Sequence, residues 1–172
     1  MSSFPDTRRD RAIAAASASG LTWPTPAPTH EFLPAIQVGE LVYVSGHAPF
    51  GDGHFQYRGR VGENLDLAAG QQAARLAVLG CLLSLENTLG TLEAVLRIVK
   101  VNGYVHCTPG FEPLPQITDA ASRLLIDVFG TEGQHARTTI GVASLPSGVA
   151  VELEMTVMAA GLPGGPPRPA GR

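Results

Sequence analysis

Charge is scarce in this sequence. Asp, Glu, Lys and Arg together make up 16% of the residues, Lys100 is the single lysine, and the formal net charge is −3. A surface that grips phosphates needs clustered positive charge, so nucleic acid is not expected as a partner. One lysine leaves one candidate for Schiff-base chemistry. Two cysteines, Cys81 and Cys107, cannot make a disulfide framework and cannot alone supply a four-ligand zinc site. Reduced thiols in the cytoplasm are the expectation, with Cys107 a small buried hydrophobe rather than a nucleophile. The histidines at 30, 47, 54, 106 and 135 show no metal-ligand spacing. There is no P-loop, no GxGxxG after a strand, no GxSxG elbow and no HExxH, so neither a cofactor nor a metal is expected. The longest apolar run, Ala73 to Leu85, is broken by Arg75 and Ser84 and is shorter than the ~20 residues of a bilayer span. No Leu-rich leader precedes a cleavage site, and no membrane association is expected.

What the chain does have is 44% hydrophobic residues in a length of 172, enough for one domain with one sizeable core. Residues 1–31 form a preamble, in which Arg8 to Ala18 is Ala-rich and predicts a short helix. Pro24, Pro26 and Pro28 then predict an extended arm. Residues 32–160 form the body, and the Gly- and Pro-rich stretch 161–172 predicts a disordered tail.

Within the body, AIQVGE and LVYVSG predict a hairpin turning at Gly39 and Glu40. The Gly-rich stretch from Gly51 to Gly62 predicts a loop with a short strand at Phe55 to Arg58. Residues 66–89 carry the strongest helical pattern, with Ala69, Ala73, Leu76, Leu79 and Leu83 on one face. Asn64 or Asp66 can cap its start, and Gly90 its end. Val95 to Cys107 reads as a strand, Gln116 to Phe129 as a second helix, and Thr138 to Leu145 and Val149 to Ala160 as strands joined by an LPSG turn. This order describes an α/β two-layer sandwich: a mixed six-stranded sheet with two helices on one face. The other sheet face is left uncovered, and oligomerisation is the economical way to cover it.

The residues that could carry chemistry concentrate near the C-terminus. Glu152 and Glu154 share one face of the last strand, and Val151, Leu153 and Met155 the other. Two glutamates facing solvent would explain the pattern as well as a site would, and Arg137 could be an ordinary surface residue. If LPSG closes a hairpin, Thr139 lies opposite Glu152, and Arg137 sits diagonally within reach of that carboxylate.

Several stretches together are similar to the RidA/YjgF family of reactive-imine deaminases, a superfamily also labelled L-PSP endoribonuclease. They are LVYVSGHAP (Leu41 to Pro49), the helix from Gly62 to Gly90, GTLEAVLRIVKVNGYV (Gly90 to Val105) and HARTTIGVASLPSGVAVELE (His135 to Glu154). FGTEGQHAR and the LTWPTPAPTHEFLPA arm resemble a longer-chain subgroup. The resemblance implies a chorismate-mutase-like fold, a homotrimer with clefts between subunits, and hydrolysis of small 2-imino acids to 2-oxo acids and ammonia without a cofactor. It implies that Arg137 clamps the substrate carboxylate, that Glu152 holds the attacking water, and that Ser45 and Gly46 form the pocket. Three positions depart from the pattern: Phe32 replaces a tyrosine, Asp119 an asparagine and Thr139 a cysteine. All three fall among substrate-binding positions. The alternative function is a non-catalytic trimer that binds small carboxylated metabolites. A ribonuclease comes third, because the composition is acidic and no His–His or His–Lys pair is evident.

Overall fold

The computed structural model describes residues 7–28 and 31–161. Helix α1 (Arg8–Ala18) starts on a capping box in which Thr7 and Asp10 satisfy each other's backbone N–H groups. The strands are β1 (Ala35–Val38), β2 (Leu41–His47), β3 (Phe50–Gly51), β4 (His54–Phe55), β5 (Val95–His106), β6 (Ala136–Val142) and β7 (Val151–Ala159). The two long helices are α2 (Leu67–Leu89) and α3 (Leu114–Phe129). Of the two candidate caps for α2, Asp66 takes the role, accepting from Ala69 N at 2.7 Å. Gly90 closes the helix in the left-handed region, at φ 81°.

The main sheet has five strands in the order β1-β2-β7-β5-β6. The sixth expected strand is not part of it: β3 and β4 form a separate two-residue ribbon. The glycine-rich stretch is too short and too turned to lie along the sheet. Only β5 and β6 run parallel, with α3 as their crossover. The expected LPSG hairpin does not form. Residue pairing puts β7 between β2 and β5, and β6 on the far edge.

Strand β7 alternates strictly, burying Val151, Leu153, Met155, Val157 and Ala159. That row packs with Leu79, Leu82 and Leu85 of α2 and Ile117 and Leu125 of α3 in one core. Helix α1 joins the same layer, with Ala12 and Ala16 fully buried. The segment expected as a preamble therefore completes the core. At 23 residues α2 has the length and apolarity of a bilayer span. It exceeds the run visible in the sequence, but most of it is buried against the sheet and α3, as in a core helix. The opposite sheet face carries Ile36, Val38, Tyr43 and Ile140, each at least 46% exposed. Only Gly161 of the expected tail lies among the described residues.

Candidate active site

Two clusters contain the candidate residues, and they lie apart. The first is at the end of β2. Pairing of Val44 with Met155 and of His47 with Leu153 leaves one extra residue on β2, a β-bulge at Ser45 and Gly46. The bulge lays Gly46 directly against the Glu152 carboxylate, and any Cβ at that position would collide with it. A side chain there would push the carboxylate out of its present position. Ser45 does not present its hydroxyl to a ligand. Its Oγ donates to Leu33 O at 2.7 Å and its N to Pro34 O at 2.9 Å, pinning the segment before β1. Phe32 is more than half exposed and lines the cavity that Glu152 and Gly46 border.

Glu152 and Glu154 share a strand face but not an environment. Glu154 accepts from Asn102 Nδ2 at 2.9 Å and from Tyr104 Oη at 2.8 Å. Glu152 is half-buried and has no hydrogen-bond partner among the described residues. Burial first, and the nearby Glu154 charge second, push its pKa above the usual carboxylate value. A carboxylate with free lone pairs and raised basicity can hold a water and accept its proton.

The second cluster surrounds Arg137 on β6. Its Nη2 pairs with Asp119 Oδ1 at 2.8 Å, and its Nη1 donates to Ser122 Oγ at 2.9 Å. Ser122 Oγ is 3.0 Å from His135 Nε2, and His135 Nδ1 is 2.6 Å from Gly133 O. A carbonyl can only accept, so Nδ1 carries the proton and Nε2 accepts from Ser122. Burial first, and the Arg137 charge among the smaller causes, lower the His135 pKa and favour this neutral form. Thr139 does not offer a free hydroxyl, being hydrogen-bonded to buried Thr118 at 2.7 Å. Gly103 allows this contact. A Cβ there would meet Thr118 Cγ2 at 2.6 Å, so its absence lets α3 lie close to the sheet.

The diagonal Arg137–Glu152 arrangement is absent, because β6 and β7 are not neighbours. Arg137 pairs with Val101, and Glu152 pairs with Tyr104, an odd number of residues along β5. The two side chains consequently point to opposite faces of the sheet. Within one chain they cannot grip one small molecule.

The cysteines stand outside both clusters. Cys81 is fully buried and Cys107 half-buried, and burial raises both thiol pKa values. Among the described residues no group of three His, Cys, Asp or Glu side chains could hold a metal. Sequence reasoning missed the Ser122–His135 pair behind Arg137. It also missed a partly buried hydrogen bond of 2.7 Å between His47 Nε2 and Ser84 Oγ. The signal for the latter was present, since Ser84 interrupts the apolar face of α2.

A mixed, bulged sheet under two long helices, with a carboxylate against a glycine on one face and a guanidinium network on the other, defines a chorismate-mutase-like α/β protein. The chain belongs to the family described as "YjgF/chorismate mutase-like, putative endoribonuclease", whose pattern matches residues 13–156. It is 37% identical over 132 residues to Protein TCP17 of Trypanosoma cruzi, covering 76% of this chain and 82% of that one. The solved protein Atu1372 of Agrobacterium tumefaciens matches with a TM-score of 0.82 and 33% identity, over 89% of this chain and 95% of that one. E. coli TdcF, solved with bound serine, shares the fold at a TM-score of 0.55 and 17% identity, over 81% of this chain and 96% of that one.

Proposed function

We propose that the protein is an imine deaminase that hydrolyses 2-imino acids to 2-oxo acids and ammonia, at sites each formed by two chains of a homotrimer. The observation that carries this is Glu152, a half-buried carboxylate with raised basicity and no hydrogen-bond partner among the described residues, at the wall of a cavity. The exposed apolar residues of the sheet face supply a reason to associate. Association of identical chains can bring the Arg137 cluster of one against the Glu152 cluster of the next.

In such a site the Arg137 guanidinium binds the substrate carboxylate through its planar fork, which a lysine ammonium would not reproduce. The substrate enters as the protonated imine. Glu152 accepts a proton from water while the water oxygen bonds to C2, and the C=N electron pair moves to nitrogen. The resulting carbinolamine takes that proton from Glu152 onto its amine. The C–N bond breaks, ammonia leaves with the electron pair, and a hydroxyl lone pair closes C=O. The hydroxyl proton passes through Glu152 to ammonia, so imine cation plus water gives oxo acid plus ammonium. Free imines hydrolyse readily in water, so the acceleration required is modest. The serine bound to TdcF has the same carboxylate and C2 nitrogen as an imino acid.

The test is a coupled assay in which an amino-acid oxidase supplies imines of varied side chains and oxo-acid release is followed. The protein should speed release, and Glu152→Gln should abolish the gain. Tight binding of 2-oxobutyrate without any acceleration would instead establish a non-catalytic binder.

A further inference from the structure

The cavity beside Glu152 holds about 420 Å³, within the ~300–1,000 Å³ typical of sites for small organic molecules. A methyl or ethyl side chain fills a small part of that. The walls come from separate parts of the chain: Ala27 on the Pro-rich arm, Phe32, the ribbon residues Phe50 and Phe55, and Leu83 on α2. Phe50 and Phe55 pack edge to face, with ring centroids 5.1 Å apart and planes at 73°.

Two polar groups of the wall, His47 and Ser84, are already paired with each other. His47 Nδ1 lies 2.6 Å from Ser45 O, and His47 Nε2 lies 2.7 Å from Ser84 Oγ. The carbonyl accepts from Nδ1, and burial lowers the His47 pKa and favours the neutral ring, whose Nε2 then accepts the Ser84 hydroxyl. Glu152 is different: it has open lone pairs at the border of an enclosure whose lining is mainly apolar, with Thr25, Asn87, Thr88 and Ser147 among its polar members. Phe32 removes a further polar group at a position where the sequence resemblance anticipates a tyrosine. A molecule whose reacting carbon sits at Glu152 therefore has its substituent directed at apolar walls.

We propose that this cavity is a side-chain subsite, and that the preferred substrates are 2-imino acids bearing an aryl side chain. The inference rests on the deaminase reading for its chemistry, but the subsite can be tested without turnover. Burying a ring against Phe32, Phe50, Phe55 and Leu83 removes apolar surface from water, and edge-to-face contacts add to that gain. The arm that carries Ala27 is thereby a specificity element.

The experiment has two arms. In the first, the imines of phenylalanine and alanine are generated with an amino-acid oxidase, and kcat/KM is compared in the wild type and in Ala27→Trp, which narrows the cavity. The wild type should favour the phenylalanine imine by roughly tenfold or more, and Ala27→Trp should reduce that ratio by a similar factor. In the second, calorimetry compares phenylpyruvate with pyruvate on the wild type, where no variant has to fold. Phenylpyruvate should bind at least ~10-fold more tightly. Equal affinity for the two oxo acids, or a phenylalanine-to-alanine ratio near unity, overturns the subsite. A ratio unmoved by Ala27→Trp in a folded variant removes the arm from it. Selective phenylpyruvate binding with no imine turned over would keep the subsite and overturn the deaminase instead.

Discussion

Glu152 and Arg137 stand on strands two apart in one sheet, and their surroundings differ in kind. Glu152 sits on central strand β7, beside the bulge of β2 and a mainly apolar cavity, with open lone pairs and a charge that burial disfavours. Arg137 sits at the far edge in a closed circuit, with Asp119, Ser122 and His135 holding the guanidinium in one orientation. One region is reactive and underdetermined, the other oriented and largely satisfied. Two strand spacings across the sheet and a three-residue offset along β5 put their backbones ~14 Å apart, and the pleat turns them to opposite faces. Neither is a complete site for a small carboxylated molecule, which is the structural argument for a site built by two chains.

The sharpest way to break this comparison is subunit mixing. Glu152→Gln should lower imine turnover by ~10²-fold or more, the scale of a lost general base, while carboxylate ligands still bind. Arg137→Lys should instead weaken carboxylate binding by about 1.5–3 kcal/mol, through loss of charged hydrogen bonds. Each variant alone is impaired. If every site takes its arginine from one chain and its glutamate from the next, random 1:1 trimers of the two variants recover about a quarter of wild-type sites. Light scattering should report three chains. A stable monomer, or no recovery on mixing after confirmed subunit exchange, would exclude a site shared between chains.

The sequence made the elements legible and their pairing much less so. Helix α1 emerges at Arg8–Ala18 from its alanines, and α2 from Asp66, Gly90 and its apolar repeat. These are local signals. The LPSG segment also turns, with Ser147 at φ 56° and Gly148 at φ 68°, but it joins strands that β5 separates. A turn signal reports a change of direction and says nothing of the neighbour a strand will find. The alternation of β7 revealed which face is buried, yet β2 and β5 would each satisfy it equally. For the same reason Arg137 and Glu152 are recognisable as residue types, whereas their position on opposite faces is not. The link from Arg137 to Asp119 and Ser122 depends on how α3 lies against β6. That in turn depends on the missing side chain at Gly103, a contact at a distance in sequence.

Asp119 offers a smaller test of the satisfied region. Its carboxylate holds one Arg137 nitrogen at 2.8 Å, where a substrate carboxylate would compete for the same fork. Asp119→Asn should release that nitrogen and strengthen 2-oxo acid binding. The pair is partly exposed, with side chains 21% and 40% accessible, so the gain should be roughly two- to fivefold, the scale of a screened surface pair. Calorimetry with 2-oxobutyrate measures it. Weaker binding in Asp119→Asn would mean that Asp119 contacts the ligand itself rather than competing with it.

The smallest effect concerns stability and sets Glu152 against Glu154. Burial and the Glu154 charge raise the Glu152 pKa in the folded protein, so its ionised form is disfavoured there relative to the unfolded chain. At a pH above both the folded- and unfolded-state values the charge is present in both states and weighs against folding. Glu152→Gln should therefore raise Tm at pH 7. As the pH falls through the folded-state pKa the wild-type carboxyl takes up a proton, and the advantage of the variant shrinks. Below the unfolded-state value both forms are neutral and the difference closes. Glu154→Gln should act in the other direction, because its carboxylate accepts from Asn102 and Tyr104. Weakening two hydrogen bonds to a charged group should cost about 1 kcal/mol at neutral pH. Thermal melts of both variants from acid to neutral pH make the measurement. Opposite signs at pH 7, with the Glu152→Gln gain fading in acid, match the two environments described. Shifts of the same sign would mean that the two carboxylates share one environment, and Glu152 would lose its standing as the open base.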